Sequence, residues 1–367
     1  MDSLSPETRD LLTLHLIPGL GPRLTQALLE RFGSVERILQ ASTSELQEVP
    51  HIGPKLAPQI SAAMMRLDLA KELRLIEEHQ VTLLRLGTPE YPPALATIAV
   101  PPLLLYVRGA VTEADSQAVA LVGSRQCSSY GRRIAEKLGG DLARAGFTVV
   151  SGLARGIDGA AHRGALNAGG RTIAVMACGL GRVYPPEHRD LADEVCKSGA
   201  LVSEANMEME PLATMFPARN RIISGLTRAV VIVEAAEQSG ALITAQHALE
   251  QGREVFAVPG PVDSPYSTGA LQLLLQGAKL IRHAQDIIED LDGIAPLVDS
   301  RATAKAPPPN LEGHHKTVWD ALENEAHYFD DLARKLQIPS PELTRTLTEL
   351  ELQKLIRRLP GNRYERF

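Results

Sequence analysis

Short apolar runs alternate with amphipathic stretches between about residues 115 and 291. The runs are continuously apolar, which is typical of strands that are buried on both faces of a parallel sheet. With helical stretches between them, they predict an α/β fold, a Rossmann-like core with a parallel-rich sheet. The predicted strands are Ala118–Val122, Thr148–Val150, Thr172–Met176, Ala200–Ser203, Ala229–Glu234, Glu254–Val258 and Ala278–Ile281.

Short helical stretches broken by proline and glycine occupy residues 1–80. Two similar breaks, Ile17–Pro22 and Val49–Pro54, each place a proline just after a glycine, where it suits the first turn of a helix. We interpret them as a tandem helix-hairpin-helix (SAM-like) module, whose helix N-termini can offer N–H groups to a phosphate. A small packing or oligomerisation domain is the alternative, since His51 stands where a glycine is expected.

The sequence pattern therefore predicts four parts, which span residues 1–80, 81–291, 292–312 and 313–367. A Pro-rich connection and the strand-like run Leu103–Val107 begin the core, and Pro307–Pro309 mark 292–312 as a linker. The last part predicts a winged helix. Its predicted helices are Thr317–Leu322, Asp330–Leu336 and Pro341–Leu355, and a hairpin follows around the turn Pro360–Asn362.

Composition adds mainly exclusions. The chain has 367 residues, 44% hydrophobic and 22% charged, with a formal net charge of −6, whereas a protein that coats duplex DNA is usually basic. Its three cysteines form no C-x-x-C pair, so neither disulfides nor a zinc site is predicted. The start lacks a signal-peptide pattern and no apolar stretch is long enough for a membrane span, so we expect a cytoplasmic protein.

Candidate chemistry gathers where strands end, the place where open α/β sheets bind ligands. Gly123, Ser124 and Arg125 follow the first core strand, and Ser128 opens a helix. Glycine permits close approach, serine and the helix N-terminus offer donors to an anion, and arginine offers charge and a bidentate fork. The stretch is neither a dinucleotide fingerprint nor a P-loop, and no cofactor is predicted.

A second strand end carries Ser151, Gly152 and Arg155, and a helix begins near Ile157. Asp158 and His162 follow, four residues apart and therefore on one helix face. They could form an acid–base pair. We favour a structural interpretation, in which the aspartate caps the helix and holds a histidine that packs a neighbouring loop.

The third segment places Arg219, Asn220 and Arg221 between apolar residues, at a helix start after Pro217. Charges this close to a core need a partner. For both arginines the partner is either a carboxylate, such as Glu204 or Glu234, or a ligand phosphate.

A fourth helix N-terminus, at Ser239 and Gly240, is expected to face the same crevice. Several such N-termini with two or three arginines make a row of phosphate sites, which suits a single strand of DNA followed along its backbone. Phe216 and Tyr130 are the candidate rings for stacking bases, although either ring can equally be core.

Six blocks carry a resemblance to a known family: Val122–Arg125, Ser151–Asp158, Tyr184–Pro185, Phe216–Leu226, Ser239–Gly240 and Val258–Gly260. Together, and in this order, they resemble the DNA-processing protein A family of bacterial natural transformation, over about residues 82–282. Small departures are Met176–Gly179 and Asn206–Glu210, where the family is richer in glycine or in proline and glycine.

The resemblance implies that the central domain is an extended Rossmann-like fold that binds single-stranded DNA and forms a homodimer. It also implies that the protein protects the strand and loads the RecA recombinase onto it despite a coat of single-strand-binding protein. It implies no catalysis, and it carries DNA contacts over to Gly123, Ser124, Arg125, Ser151, Gly152 and the block Phe216–Arg221.

Two other functions stay open. A nucleotide-hydrolysing enzyme of the phosphoribohydrolase-like Rossmann group would carry a Pro-Gly-Gly-x-Gly-Thr loop, which the stretch Glu234–Ala241 lacks. A transcription regulator would act through the tail. There the third helix sets Arg345 against Glu342 and Glu349, so only the wing arginines suit DNA, and otherwise the tail is a protein-interaction domain. These are Arg357, Arg358, Arg363 and Arg366.

Overall fold

The computed structural model describes residues 4–292, 311, 313–322, 327–353, 355–359 and 363–366. The chain forms two compact units, Met1–Asp299 and Ser300–Phe367. The predicted linker 292–312, except Asp292 and Leu311, lies outside the described residues, as does the predicted turn Pro360–Asn362.

The first unit begins with six helices. They are α1 (Pro6–His15), α2 (Pro22–Phe32), α3 (Val35–Gln40), α4 (Thr43–Gln47), α5 (Leu56–Met64) and α6 (Leu69–Glu78). Pro22 occupies the first turn of α2, as the first glycine–proline break predicts. His51 adopts a φ of 70° in the second break, the left-handed conformation in which a glycine was expected.

A nine-stranded sheet forms the centre of the first unit, in the order β1-β2-β6-β5-β4-β3-β7-β8-β9. Its strands are β1 (Val81–Arg85), β2 (Leu104–Gly109), β3 (Ala118–Val122), β4 (Thr148–Ser151), β5 (Thr172–Val175), β6 (Ala200–Ser203), β7 (Ala229–Ile232), β8 (Glu254–Ala257) and β9 (Lys279–Leu280). The seven strands from β6 to β9 in this order are parallel, which confirms the predicted core.

Two antiparallel strands extend the sheet beyond β6. The segment Val81–Arg85 was expected to be part of a connection, and that expectation is wrong. Val81 and Leu83 are buried while Thr82 between them is exposed. This alternation suits a strand with one covered face.

Helices cover both faces of the sheet, as predicted. They are α7 (Pro93–Ala96), α8 (Ser129–Arg144), α9 (Ile157–Asn167), α10 (Arg189–Ser198), α11 (Met215–Gly225), α12 (Gly240–Glu250), α13 (Thr268–Leu275) and α14 (Ala284–Asp292). Apolar residues of α7, α11, α12 and α13 share one core with the sheet. Those of α8, α9 and α14 share the core on the other face.

The second unit is a winged helix. Its elements are α15 (Gly313–Ala321), β10 (His327–Tyr328), α16 (Phe329–Leu336), α17 (Ser340–Leu352), β11 (Ile356–Leu359) and β12 (Arg363–Arg366), and its sheet runs in the order β10-β12-β11. No helix in the described part of either unit is long and apolar enough to cross a membrane.

Candidate nucleic-acid interface

A crevice opens at the carboxyl ends of β3, β4 and β5. The chain crosses from β6 to β7 beside β3, so the strand order reverses here, the position where open α/β sheets bind ligands. The lining residues are Arg125, Gly152, Ala154, Arg155, Ala177, Cys178, Tyr184, Pro185, Pro211 and Phe216.

Arg125 is an exposed cation of this crevice. Its guanidinium carbon lies 4.3 Å from the centre of the Phe216 ring, in cation–π contact. Phe216 meets Tyr184 edge-on at 5.9 Å. Among the described residues, no carboxylate forms an ion pair with Arg125, so its donors are available to a ligand.

Gly123 and Ser124 shape the end of β3. A Cβ at Gly123 would overlap both the Ile157 side chain and the Glu234 carbonyl oxygen, so this position requires a glycine. The Ser124 amide donates to that carbonyl at 2.8 Å, and the Ser124 hydroxyl bonds the backbone of Gln126. Ser124 therefore holds the turn, and its donors already have partners within the protein.

Glu234 caps α8. Its carboxylate accepts from the Ser128 amide at 2.8 Å and from the Ser128 hydroxyl at 2.5 Å, and that hydroxyl accepts from the Gly131 amide at 3.0 Å. Of the two carboxylates considered as arginine partners, Glu234 instead bonds Ser128 at the N-terminus of α8.

The second strand end is held from inside the protein. Ser151 donates its hydroxyl hydrogen to the Leu121 carbonyl at 2.6 Å. The Asp158 carboxylate accepts from the Gly152 amide at 3.2 Å and from the Ala154 amide at 3.3 Å. Burial raises the pKa of Asp158, and nearby Arg219 opposes the rise. The Asp158 carboxylate therefore accepts from the Gly152 amide, a donor that the sequence analysis assigned to a ligand phosphate.

His162 is fully buried and is not held by Asp158, contrary to the structural interpretation above. Its Nδ1 lies 2.7 Å from the Thr172 hydroxyl, whereas Asp158 turns toward its own loop. Burial, aided by the charge of neighbouring His188, lowers the pKa of His162 to about 3. The two residues do not form an acid–base pair in this arrangement.

Arg219 is buried, with 6% of its surface exposed. Its Nη1 donates to the Gly152 carbonyl at 2.8 Å and also to the Val175 carbonyl. Burial lowers the pKa of Arg219 to about 10, and the nearby Asp158 opposes the shift. Arg219 therefore ties the ends of β4 and β5 together, and the phosphate partner considered for it is replaced by partners in the protein.

Arg221 has the carboxylate partner that the sequence indicated. Its Nη2 lies 2.5 Å from Oε2 of Glu204, and both side chains are mostly buried. Asn220 donates to the Gly240 carbonyl at 3.2 Å, which links α11 to α12. The helix itself begins at Met215 rather than after Pro217, so the proline lies within its first turn.

The remaining candidates are closer to solvent. Arg155 is half-exposed and pairs with Glu187 at 2.5 Å. Ser239 caps α12 by accepting from the Ala241 amide at 3.3 Å, and Gly240 is exposed at the first position of that helix. Tyr130 packs against the core and donates to the Pro259 carbonyl at 3.1 Å, so it serves the fold.

Several residues that line the crevice were given no role in the sequence analysis. Ala177 and Cys178 follow β5, and the rule that ligands bind beyond strand carboxyl ends would have included them. Tyr184 comes from the long loop after β5, and the sequence marked it only as part of a family block, without a place in the crevice. Pro211 comes from the long loop after β6, and no sequence pattern indicates that this loop folds back over the crevice.

The wing of the second unit carries stacked arginines. Arg363 lies over the Tyr328 ring at 5.7 Å, and Arg366 lies over the Trp319 ring at 4.2 Å. On α17, Arg345 is paired with Glu349 at 2.8 Å, which agrees with its poor suitability for a phosphate. Contact between the wing and DNA stays a prediction, and the Arg357 side chain lies outside the described residues.

A family model described as DNA recombination-mediator protein A matches residues 82–292, the whole sheet domain with its crevice. The chain belongs to this family. A model described as the DprA winged helix domain matches residues 302–362 of this chain, and a model described as a SAM-like helix-hairpin-helix tandem matches residues 9–63. The resemblance drawn from the six sequence blocks is thereby confirmed.

Relatives within the DNA recombination-mediator protein A family extend this likeness. Protein Smf of Synechocystis is 33% identical over 387 aligned positions, which cover 95% of this chain and 96% of Smf. The structure of DNA processing protein A from Streptococcus pneumoniae has a TM-score of 0.68 at 33% identity, covering 78% of this chain and 99% of that one. The Helicobacter pylori protein, described for its single-stranded DNA binding mode, has a TM-score of 0.53 at 29% identity, covering 58% and 96%.

Proposed function

We propose that the chain binds single-stranded DNA along its phosphate backbone at the crevice, protects it, and loads RecA recombinase onto strands that single-strand-binding protein has coated. It would act as a homodimer, without catalysis, in natural transformation and recombinational repair. Membership of the DNA recombination-mediator protein A family supports this proposal, as does the DNA-binding mode described for the Helicobacter pylori relative.

The observation that carries the proposal is the Arg125–Phe216 pair. An exposed guanidinium without a carboxylate partner lies on an aromatic ring at the strand-order reversal. A phosphate can bond the guanidinium while a base stacks on a ring of the same site. Bases in a duplex are already stacked on each other, so this combination favours a single strand.

Two neighbouring features would extend the contact. Arg155 is half-exposed, and a phosphate could take the place of Glu187 on its guanidinium. The first turn of α12, with Gly240 exposed, presents the positive end of the helix dipole, which favours an anion. By contrast, Arg219, Asn220, Arg221, Ser151 and Gly152 would act by holding these elements in place.

The test compares Arg125→Ala with Lys197→Ala, measured by fluorescence anisotropy on oligothymidine at several salt concentrations. Lys197 is an exposed cation in the last turn of α10, just before the amino end of β6, whereas the crevice lies at the carboxyl ends of the strands. Loss of Arg125 should weaken binding roughly tenfold. The slope of log K against log salt should become shallower by about 0.7. Lys197→Ala should bind like the parent, and an Arg125→Ala variant that binds like the parent at every salt concentration contradicts the proposal.

The loading role needs a separate measurement. RecA-catalysed strand exchange on single strands coated with single-strand-binding protein should be faster with the parent chain present, and less so with Arg125→Ala. An unchanged rate with the parent chain would limit the function to DNA binding.

A further inference from the structure

Glu72 is a buried carboxylate in α6, in the helical region that precedes the sheet. Only 6% of its surface is exposed. Its Oε1 accepts from the Met207 amide at 2.8 Å and from the Tyr106 hydroxyl at 2.9 Å. A charged group this deeply buried needs such partners, and here one of the partners is the backbone of a distant loop.

That loop, residues 204–214, joins β6 to α11 and packs against residues 178–185. The Gly181 amide donates to the Met207 carbonyl and the Gly179 amide donates to the Met209 carbonyl, each at 3.0 Å. A Cβ at Gly179 would overlap the carbonyl oxygens of Asn206 and Met207. The two loops are therefore bonded and packed together as one unit, here named the crevice wall.

The crevice wall supplies one side of the proposed DNA site. Cys178, Tyr184 and Pro185 come from its first loop, and Pro211 comes from its second, which leads directly to Phe216. The hydrogen bond from Met207 to Glu72 joins this wall to α6. An exposed ion pair between Lys71 and Glu208 at 2.5 Å is a weaker, solvent-screened second link.

We propose that Glu72 is a positioning residue that couples the N-terminal helical region to the crevice: it fixes the crevice wall, and through it the position of Phe216. This regulation of the site rests on the proposed single-strand binding. A change that moves α6 would withdraw the acceptor from the Met207 amide and let the wall shift. The N-terminal region would then influence DNA affinity without touching DNA.

The test uses the full chain with Glu72→Leu, which removes the acceptor, and Glu72→Gln, which keeps one. Hydrogen exchange is followed in peptides covering 178–182 and 206–210, and binding of oligothymidine is followed by anisotropy. In Glu72→Leu, exchange in both peptides should rise about tenfold or more, and affinity should fall about tenfold. In Glu72→Gln, both the exchange in these peptides and the affinity should stay near the parent values. Exchange in β3 should stay at the parent value in every variant.

Two controls refine the assignment. Tyr106→Phe removes the other hydrogen bond of Glu72 but leaves the Met207 bond, so exchange in the wall should stay near the parent value. Lys71→Ala removes the outer ion pair and should have little effect. If Glu72→Leu fails to fold, Glu72→Asp takes its place, since the shorter side chain draws the carboxylate away from Met207.

The outcomes separate the two proposals. Unchanged wall exchange in the acceptor-deficient variant overturns the role of Glu72. Faster exchange with unchanged affinity, when Arg125→Ala does weaken binding, overturns the coupling and leaves the DNA site intact. If Arg125→Ala also has no effect, the DNA site itself is wrong and the coupling falls with it.

Discussion

The guanidinium of Arg125 lies 4.3 Å above the centre of the Phe216 ring, at the end of β3 and the start of α11. The two residues are 91 positions apart in the chain (216 − 125), so the pair joins two distant elements. Charge and ring therefore meet only because the strand order reverses at this point of the sheet.

The pair gives a prediction that separates stacking from charge. Phe216→Leu removes a ring on which a base could stack, worth about 1–3 kcal/mol per base, so affinity for oligothymidine should fall roughly tenfold. The salt dependence should keep the parent slope, because no phosphate contact is lost. Anisotropy titrations at several salt concentrations check this, and a slope as shallow as that of Arg125→Ala would mean that the ring acts only by orienting the arginine.

Gly152→Ala should destabilise the first unit. The added Cβ would overlap the Arg219 guanidinium and push it from the carbonyls that it bonds, at a cost of about 2–4 kcal/mol. The matched control is Gly53→Ala, where the added Cβ meets nothing within 4 Å. Urea unfolding followed by circular dichroism measures both, and equal midpoints would contradict the tight contact.

Arg219 and Arg125 should separate stability from binding. Arg219→Ala leaves Asp158 buried without its cation and two carbonyls without their donor, so we expect a loss of about 3–5 kcal/mol. Arg125→Ala removes an exposed side chain and should change the unfolding free energy by less than about 0.5 kcal/mol. Denaturant unfolding of the two variants checks this, and an Arg219→Ala chain as stable as the parent would contradict the structural role.

Glu234 provides a test of the enzymatic alternative. Glu234→Leu removes the acceptor for the Ser128 amide and hydroxyl, so stability should fall by about 1–3 kcal/mol. The parent chain should release no base from nucleoside monophosphates. Chromatography of the reaction products is the measurement, and turnover that disappears on mutation of Glu234 would favour the hydrolase.

His162 predicts a pH dependence. Its pKa falls to about 3 in the folded chain because of burial, whereas the unfolded value is near the ordinary 6.5. The unfolded chain therefore binds a proton below pH 6.5 while the folded chain does not, so acidification destabilises the fold. Between pH 6.5 and 5 the parent should lose about 2 kcal/mol that His162→Gln does not lose. A stability difference between the two chains that stays constant with pH would contradict the buried neutral imidazole.

The sequence was sufficient for most of the fold, because the parallel strands are continuously apolar and glycine or serine marks their ends. The missed strand, Val81–Arg85, shows the limit of that signal. It is short, alternates in burial and precedes a Pro-rich stretch, so it is hard to tell from a connection until β2 pairs with it.

The candidate site was harder, because sequence lists donors without saying whether they already have acceptors. The Gly152 amide and the Arg219 guanidinium could each donate to a phosphate. In the fold, however, the amide donates to Asp158 and the guanidinium donates to two backbone carbonyls. Arg221 shows the opposite case, since its partner Glu204 was among the predicted carboxylates. Only geometry distinguishes a ligand-facing arginine from one that braces the loop behind it.

The two-residue strand β9 has a consequence for how copies of the chain can meet. Its Lys279 is held by Glu254 at 2.8 Å and by Asp290 at 2.6 Å, so a fixed charge stands on the outermost strand of the sheet. Because this edge strand is short and charged, it offers few free backbone groups for pairing with a strand of another chain. Self-association at this border would therefore have to rely on side chains rather than on a continued β-ladder.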